Sequence, residues 1–260
     1  MFGFDKDKRP WRFTRRLRLL EWGMRLANRH LLREVTGVEK IPMEGGFIVV
    51  ANHLSFGDGI MLAQVFDNRR REPTHFISYA ELFDNWFMRL ILTTGEGIVL
   101  DRSSKEGIEK AMKEAERYIV EAKQGVALFP EAHVGKQGKM RRGRPGAALL
   151  AMRTGAPVVP VGLVGFDKIG RLDEKGKLRL HLKRRQGEVH IGDALDFRLW
   201  REAYFATDTK AQGVILEGLT TLMMRVVASL ARQMYPHGEA ELAETVKMVK
   251  EPPAWVRNWL

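Results

Sequence analysis

From residue 37 onward the chain alternates short, β-branched apolar runs with amphipathic helical stretches, and few architectures satisfy that order. Phe47–Ala51 is followed by a helical pattern over Gly59–Phe66, and His75–Tyr79 by an apolar helix over Glu81–Leu92. Gly97–Leu100 leads into a helix over Lys105–Lys123, where Ser103 or Ser104 is placed to cap the first turn with its hydroxyl. Val126–Phe129, a helical Gly146–Thr154 and Val158–Val164 continue the series. Runs at 178–182 and 188–191 and a long helix over Lys210–Met234 complete it. Helical crossovers between strands make neighbouring strands parallel, so the pattern predicts an α/β domain with a mostly parallel sheet flanked by helices. Open sheets of this kind bind ligands outside the carboxyl ends of their strands, so chemistry is sought in the residues that follow each run.

Composition narrows the chemistry. A chain of 260 residues, 45% of them hydrophobic, can bury a sizeable core and is not wholly disordered. The absence of cysteine excludes disulfides, thiolate catalysis and Cys-ligated metal centres. A formal charge of +11 favours polyanionic partners: anionic lipid, phosphorylated substrates or nucleic acid. No zinc-finger or aromatic RNA-binding signature accompanies that charge, so nucleic acid is not the expected partner. No run approaches the roughly 20 consecutive apolar residues of a spanning helix. The N-terminus, MFGFDKDKRPWRFTRR, is charged where a signal peptide would be apolar, which predicts a protein on the cytoplasmic face of the cell membrane.

Residues 1–33 hold ten basic side chains against three acidic ones. Phe13, Leu17, Leu20, Met24 and Leu31 share one helical face, while Leu19, Trp22 and Leu26 lie among the arginines on the other. The expectation is an N-terminal basic amphipathic helix (1–33) that lies on an anionic membrane surface, its aromatics at headgroup level and its long cations snorkelling. A domain over 34–235 follows. The tail, 236–260, ends in PPAWVRNWL and is expected to be loosely held.

After the first run stands Asn52-His53-Leu54-Ser55-Phe56-Gly57-Asp58. A histidine followed five positions later by aspartate (HX4D), across a strand-to-helix turn, can place the carboxylate on one ring nitrogen and leave the other for a substrate hydroxyl. The spacing equally suits an Asp58 that caps the helix beginning at Gly59, with His53 a plain core or loop residue. Arg102 alone reads as a surface ion-pair partner, and Glu131 after a proline as a loop residue.

Further matches follow in order. Gly97-Ile98-Val99-Leu100-Asp101-Arg102, Phe129-Pro130-Glu131 and Val159-Pro160-Val161, together with NHLSFGD, resemble the four signatures of the lysophosphatidic acid acyltransferase (1-acylglycerol-3-phosphate O-acyltransferase, PlsC-type) family. The resemblance spans about residues 37–195 and implies a glycerolipid acyltransferase-like fold. It further implies transfer of a fatty acyl group from acyl-CoA or acyl-carrier protein to a hydroxyl of a lyso-glycerophospholipid, as in phospholipid biosynthesis. Carried onto this chain, the family pattern makes His53 the general base and Asp58 its orienting partner. Asn52 and Ser55 shape the histidine turn and, with Gly97, Arg102, Phe129, Pro130, Glu131, Arg144 and Gly146, contact substrate. A thioester is already an activated acyl donor, so neither cofactor nor metal is expected. Where the family continues FPE with Gly-Thr-Arg, this chain has Ala132-His133-Val134, and one phosphate-binding arginine is missing. Lys136, Lys139, Arg141, Arg142 or Arg144 could restore the charge. The alternative is an acceptor without a phosphomonoester, such as an ornithine-type lyso-lipid. A different class of reading is a noncatalytic basic module that binds membrane or nucleic acid.

Overall fold

The structure, a computed structural model, describes residues 23, 26–135, 140–172, 178–180, 184–249 and 251–259. Its centre is a seven-stranded sheet in the order β1-β9-β6-β2-β5-β3-β4. These strands are β1 (Leu32–Thr36), β2 (Phe47–Ala51), β3 (Thr74–Tyr79), β4 (Ile98–Leu100), β5 (Gly125–Leu128), β6 (Val158–Val164) and β9 (Gly187–Ile191). The five strands β6-β2-β5-β3-β4 are parallel, whereas β9 runs antiparallel to β6 and carries the parallel β1 at the edge. A separate hairpin pairs β7 (Gly170–Leu172) with β8 (Leu178–Leu180). Positions 181–182 of the expected run lie outside the described residues.

β2 shows why the sheet sits where it does. All five of its residues are buried, so it reads as a continuous apolar run rather than an alternating one. Phe47, Val49 and Ala51 enter a core with Leu62, Val65 and Phe66 of α1 (Asp58–Arg70). Ile48 and Val50 enter a second core on the opposite face. That face is covered by α3 (Lys105–Val120), α4 (Gly146–Thr154), α5 (Arg198–Ala206), α6 (Thr209–Leu230) and α7 (Glu239–Lys247). Among the described helices α6 alone is long and apolar enough to cross a membrane, with a mean hydropathy of 1.5. It is instead packed against β6, and Leu219, Leu222, Met224 and Val227 are fully buried there.

Several expectations are corrected. Most of the 1–33 helix lies outside the described residues. The described segment 26–31 is helical, but Leu32 and Arg33 already belong to β1. A register irregularity between Leu32 and Glu34 breaks the two-residue alternation that would have marked this strand. The apolar helix over Glu81–Leu92 is two pieces, a 3₁₀ turn at Ala80–Asp84 and α2 (Trp86–Thr94). Asn85 separates them in extended conformation, and its side chain accepts from the Met88 amide as an N-cap. The long C-terminal helix stops at Leu230, where the chain turns through Arg232 at φ 55. The tail is not loose: α7 packs along α6, Val256 is fully buried, and the Trp255 ring sits 6.1 Å from Phe197.

Candidate active site

Asp58 opens α1 and is fully buried, and its carboxylate turns back into the loop that leads to it. Oδ2 accepts from the Leu54 amide at 2.5 Å, the Ser55 amide at 2.8 Å and His53 Nδ1–H at 2.9 Å; Oδ1 accepts from the Ser55 hydroxyl. The Asp58 side chain therefore fixes the turn and the imidazole together instead of capping the helix amides. With Nδ1 donating to Asp58, Nε2 is the ring nitrogen left to accept a proton. The Phe129 ring stacks on the imidazole at 4.2 Å and 11°, which holds its plane.

His53 is held along its backbone as well. Its amide donates to Glu131 Oε1 at 2.9 Å, and its carbonyl accepts from the Gly135 amide at 2.8 Å. Glu131 Oε2 accepts from the Arg141 amide at 2.7 Å. Burial pushes the Glu131 carboxyl above the usual range, against the two amides that favour its ionised form. Ala132 follows in left-handed conformation at φ 64, a geometry that glycine adopts without steric cost and alanine does not.

His53 borders a cavity of about 1070 Å³. One wall is α1, through Phe56, Gly59, Ile60 and Ala63; another is α2, through Met88, Ile91 and Leu92. Phe76, Ile77 and Leu100 from the strands, and Ile108, Met112 and Leu149 from α3 and α4, complete an apolar surface suited to a hydrocarbon chain. Arg102, His133 and Arg144 line the same cleft. Arg102 is fixed by Glu81 at 3.3 Å and lies 4.5 Å above the Tyr79 ring; its Nη1 is 3.5 Å from His133 Nε2. Burial, then the positive charges of Arg102, Arg141 and Arg144, hold the His133 imidazole below its usual range.

The structure thus brings His53, Gly97, Arg102, Phe129, Pro130, Arg144 and Gly146 to one cleft, with Asp58 directly behind His53. Three residues expected to contact substrate do not reach it. Asn52 is fully buried and clasps β6, donating to the Leu163 carbonyl and accepting from its amide. Ser55 is buried under Asp58, and Glu131 is taken up by two backbone amides. Of the basic loop, Arg142 faces Glu217 and Glu241 instead of the cleft, and Lys136 and Lys139 lie outside the described residues. Sequence reasoning missed Tyr79 and Glu81, which seat Arg102. Their position at the carboxyl end of β3 was the available signal.

The family described as Acyltransferase matches residues 32–164, just over half of the chain. A probable 1-acyl-sn-glycerol-3-phosphate acyltransferase of Mycoplasma genitalium is 26% identical over 151 residues, covering 58% of this chain and 55% of that protein. A chloroplastic 1-acyl-sn-glycerol-3-phosphate acyltransferase of Brassica napus is 27% identical over 150 residues, covering 56% and 41%. The chain spans about half the length of the curated relatives it matches. The crystal structure of the lysophosphatidic acid acyltransferase PlsC from Thermotoga maritima superposes with a TM-score of 0.55 at 21% identity, covering 85% of this chain and 83% of that one, which establishes a shared fold. With the histidine turn, the Glu131 loop and the parallel core of the sheet all inside the matched segment, the chain belongs to the Acyltransferase family.

Proposed function

We propose that the protein is an O-acyltransferase that moves a fatty acyl group from acyl-CoA or acyl-carrier protein to the hydroxyl of a lyso-glycerophospholipid such as lysophosphatidic acid. The observation that carries this reading is a histidine oriented by a buried carboxylate at the mouth of an apolar cleft, with Arg102 and Arg144 in the same cleft. His53 Nε2 takes the proton of the acceptor hydroxyl as its oxygen attacks the thioester carbonyl, and the carbon–sulfur bond then breaks. The imidazolium returns that proton to the departing thiolate, leaving an ester and a thiol. Asp58 stays ionised throughout and stabilises the imidazolium. A positioned base contributes ~10²–10⁴-fold to such a step.

Arg102, His133 and Arg144 favour an acceptor with an anionic headgroup over one without phosphate, since each brings positive charge or a donor to the cleft where the family arginine is absent. The protein works as a peripheral enzyme on an anionic membrane, where its acceptor resides. Transfer of a radiolabelled acyl thioester to lysophosphatidic acid, lysophosphatidylcholine and a lyso-ornithine lipid tests the reading. Lysophosphatidic acid is expected to turn over fastest, with His53→Ala folded and slower by at least ~10²-fold. Near-normal transfer by that variant would remove the mechanism.

A further inference from the structure

We infer that the outer face of α2 is a docking surface that seats in the boundary between headgroups and acyl chains of an anionic bilayer. This goes beyond the proposed reaction to the route by which lipid reaches the cleft.

The nine residues of α2, WFMRLILTT, carry one charge, and Arg89 Nε directs it back onto the Phe83 carbonyl at 2.7 Å. Met88, Ile91 and Leu92 line the cleft. Trp86 and Leu90, one helical turn apart and therefore on one face, are 76% and 43% exposed. A helix apolar on both faces belongs either inside a core or against lipid, and this one's outer side stays largely exposed at Trp86 and Leu90. Ile108, which lines the same cleft as Met88, Ile91 and Leu92, is likewise 41% exposed.

Three features favour a bilayer as the occupant over a protein. α2 is a wall of a cleft shaped for a hydrocarbon chain, and a protein seated across it would close the passage that lipid must use. Arg71 and Arg102 line the same cleft and are exposed, so positive charge accompanies the apolar face, as anionic headgroups require. Trp86 is the side chain type enriched at headgroup depth. The helical segment 26–31 adds continuity: Asn28 Nδ2 donates to the Met61 carbonyl of α1, the helix whose Ile60 and Ala63 form the opposite wall.

Because the chain has no cysteine, Leu90→Cys in the full-length protein accepts a single environment-sensitive nitrobenzoxadiazole label, and Phe205→Cys on α5 provides an exposed control away from the cleft. On addition of vesicles of phosphatidylglycerol and phosphatidylcholine, the label at position 90 is expected to brighten several-fold, shift to the blue and be quenched by lipids spin-labelled on their acyl chains. The label at 205 is expected to stay aqueous. Vesicles that fail to bind, an unchanged signal at 90 on bound vesicles, or an equal response at 205 would overturn the assignment. A shift that grows with protein concentration without vesicles would give the face to a second copy of the chain. Trp86→Asp/Leu90→Asp is expected to lower transfer to vesicle-embedded acceptor at least tenfold and to leave transfer to a water-soluble short-chain acceptor unchanged. The fluorescence result stands whether or not acyl transfer is detected, so failure of the docking surface and failure of the proposed reaction are separable.

Discussion

Asp58 spends its acceptor capacity on three consecutive residues, His53, Leu54 and Ser55, so replacing it disturbs both the ring and the turn that presents it. Asp58→Asn is expected to lower kcat by about 10³–10⁴-fold, the loss seen when a carboxylate that sets a histidine tautomer is neutralised. Stopped turnover with an unchanged circular dichroism spectrum would confirm that the loss is chemical. His133 offers a pH test. Its imidazole is neutral near pH 7 because burial and the neighbouring arginines depress its pKa, and an anionic headgroup between it and Arg102 would raise that pKa. Binding would then take up a proton, so KM for a phosphorylated acceptor should rise as pH climbs past the lowered value of the free imidazole, and His133→Ala should flatten that dependence. Acceptor profiles of the two proteins measured side by side cancel the titration of the phosphate itself. Ala132 has a simpler consequence. Its left-handed backbone costs about 1 kcal/mol, and Ala132→Gly is expected to raise the thermal midpoint or leave it level, whereas Ala132→Val should lower it.

Among the elements, those framing the site were plain in the sequence because both faces of their strands are buried: β2 and β6 are unbroken apolar runs between turn signals. The histidine turn and the Phe129-Pro130-Glu131 corner stand at the ends of β2 and β5, where the α/β pattern directs attention. What stayed hidden has physical causes. β1 is a bulged edge strand with exposed Arg33 and Glu34, and α5 and α7 place few apolar residues on their inner faces. No spacing in the sequence announces that Glu131 bonds the His53 amide, because the contact spans 78 positions. Packing between α6 and α7 depends on Gly218, where an added Cβ would meet Thr245 Oγ1 at 2.1 Å. Gly218→Leu should cost about 1–3 kcal/mol or more through overpacking, read as a lower denaturation midpoint. On β3, His75 is buried between the Glu96 carbonyl at 3.0 Å, the Gln124 carboxamide at 2.9 Å and the Tyr118 ring, and burial lowers its pKa. The unfolded chain therefore binds the proton more readily, and stability contributed above the ordinary value of 6.5 is lost as pH falls from 6.5 toward the lowered folded value. Urea midpoints at pH 7 and pH 5 should differ in the native chain and converge in a folded His75→Phe variant.

At the scale of the whole molecule the charge of +11 is unevenly spread, and residues 1–22 hold seven basic and three acidic side chains. Truncation before residue 23 spares the buried Leu31 and the edge strand β1, whereas a cut at 33 would remove part of the sheet. The shorter chain is expected to fold and to bind anionic vesicles more weakly in co-sedimentation, with the difference shrinking as salt rises because those charges are screened. The central sheet gives the site its rigidity, since β2 lies between β5 and β6 and carries His53 from the middle of the fold. Glu131 and Gly135 grip His53 on its amide and its carbonyl, so the loop proposed to read the headgroup and the ring proposed to draw off the proton are mechanically joined. An engineer who grafts another protein's 132–144 segment to change which lipid is accepted will also re-aim the base, and selectivity and turnover will move together.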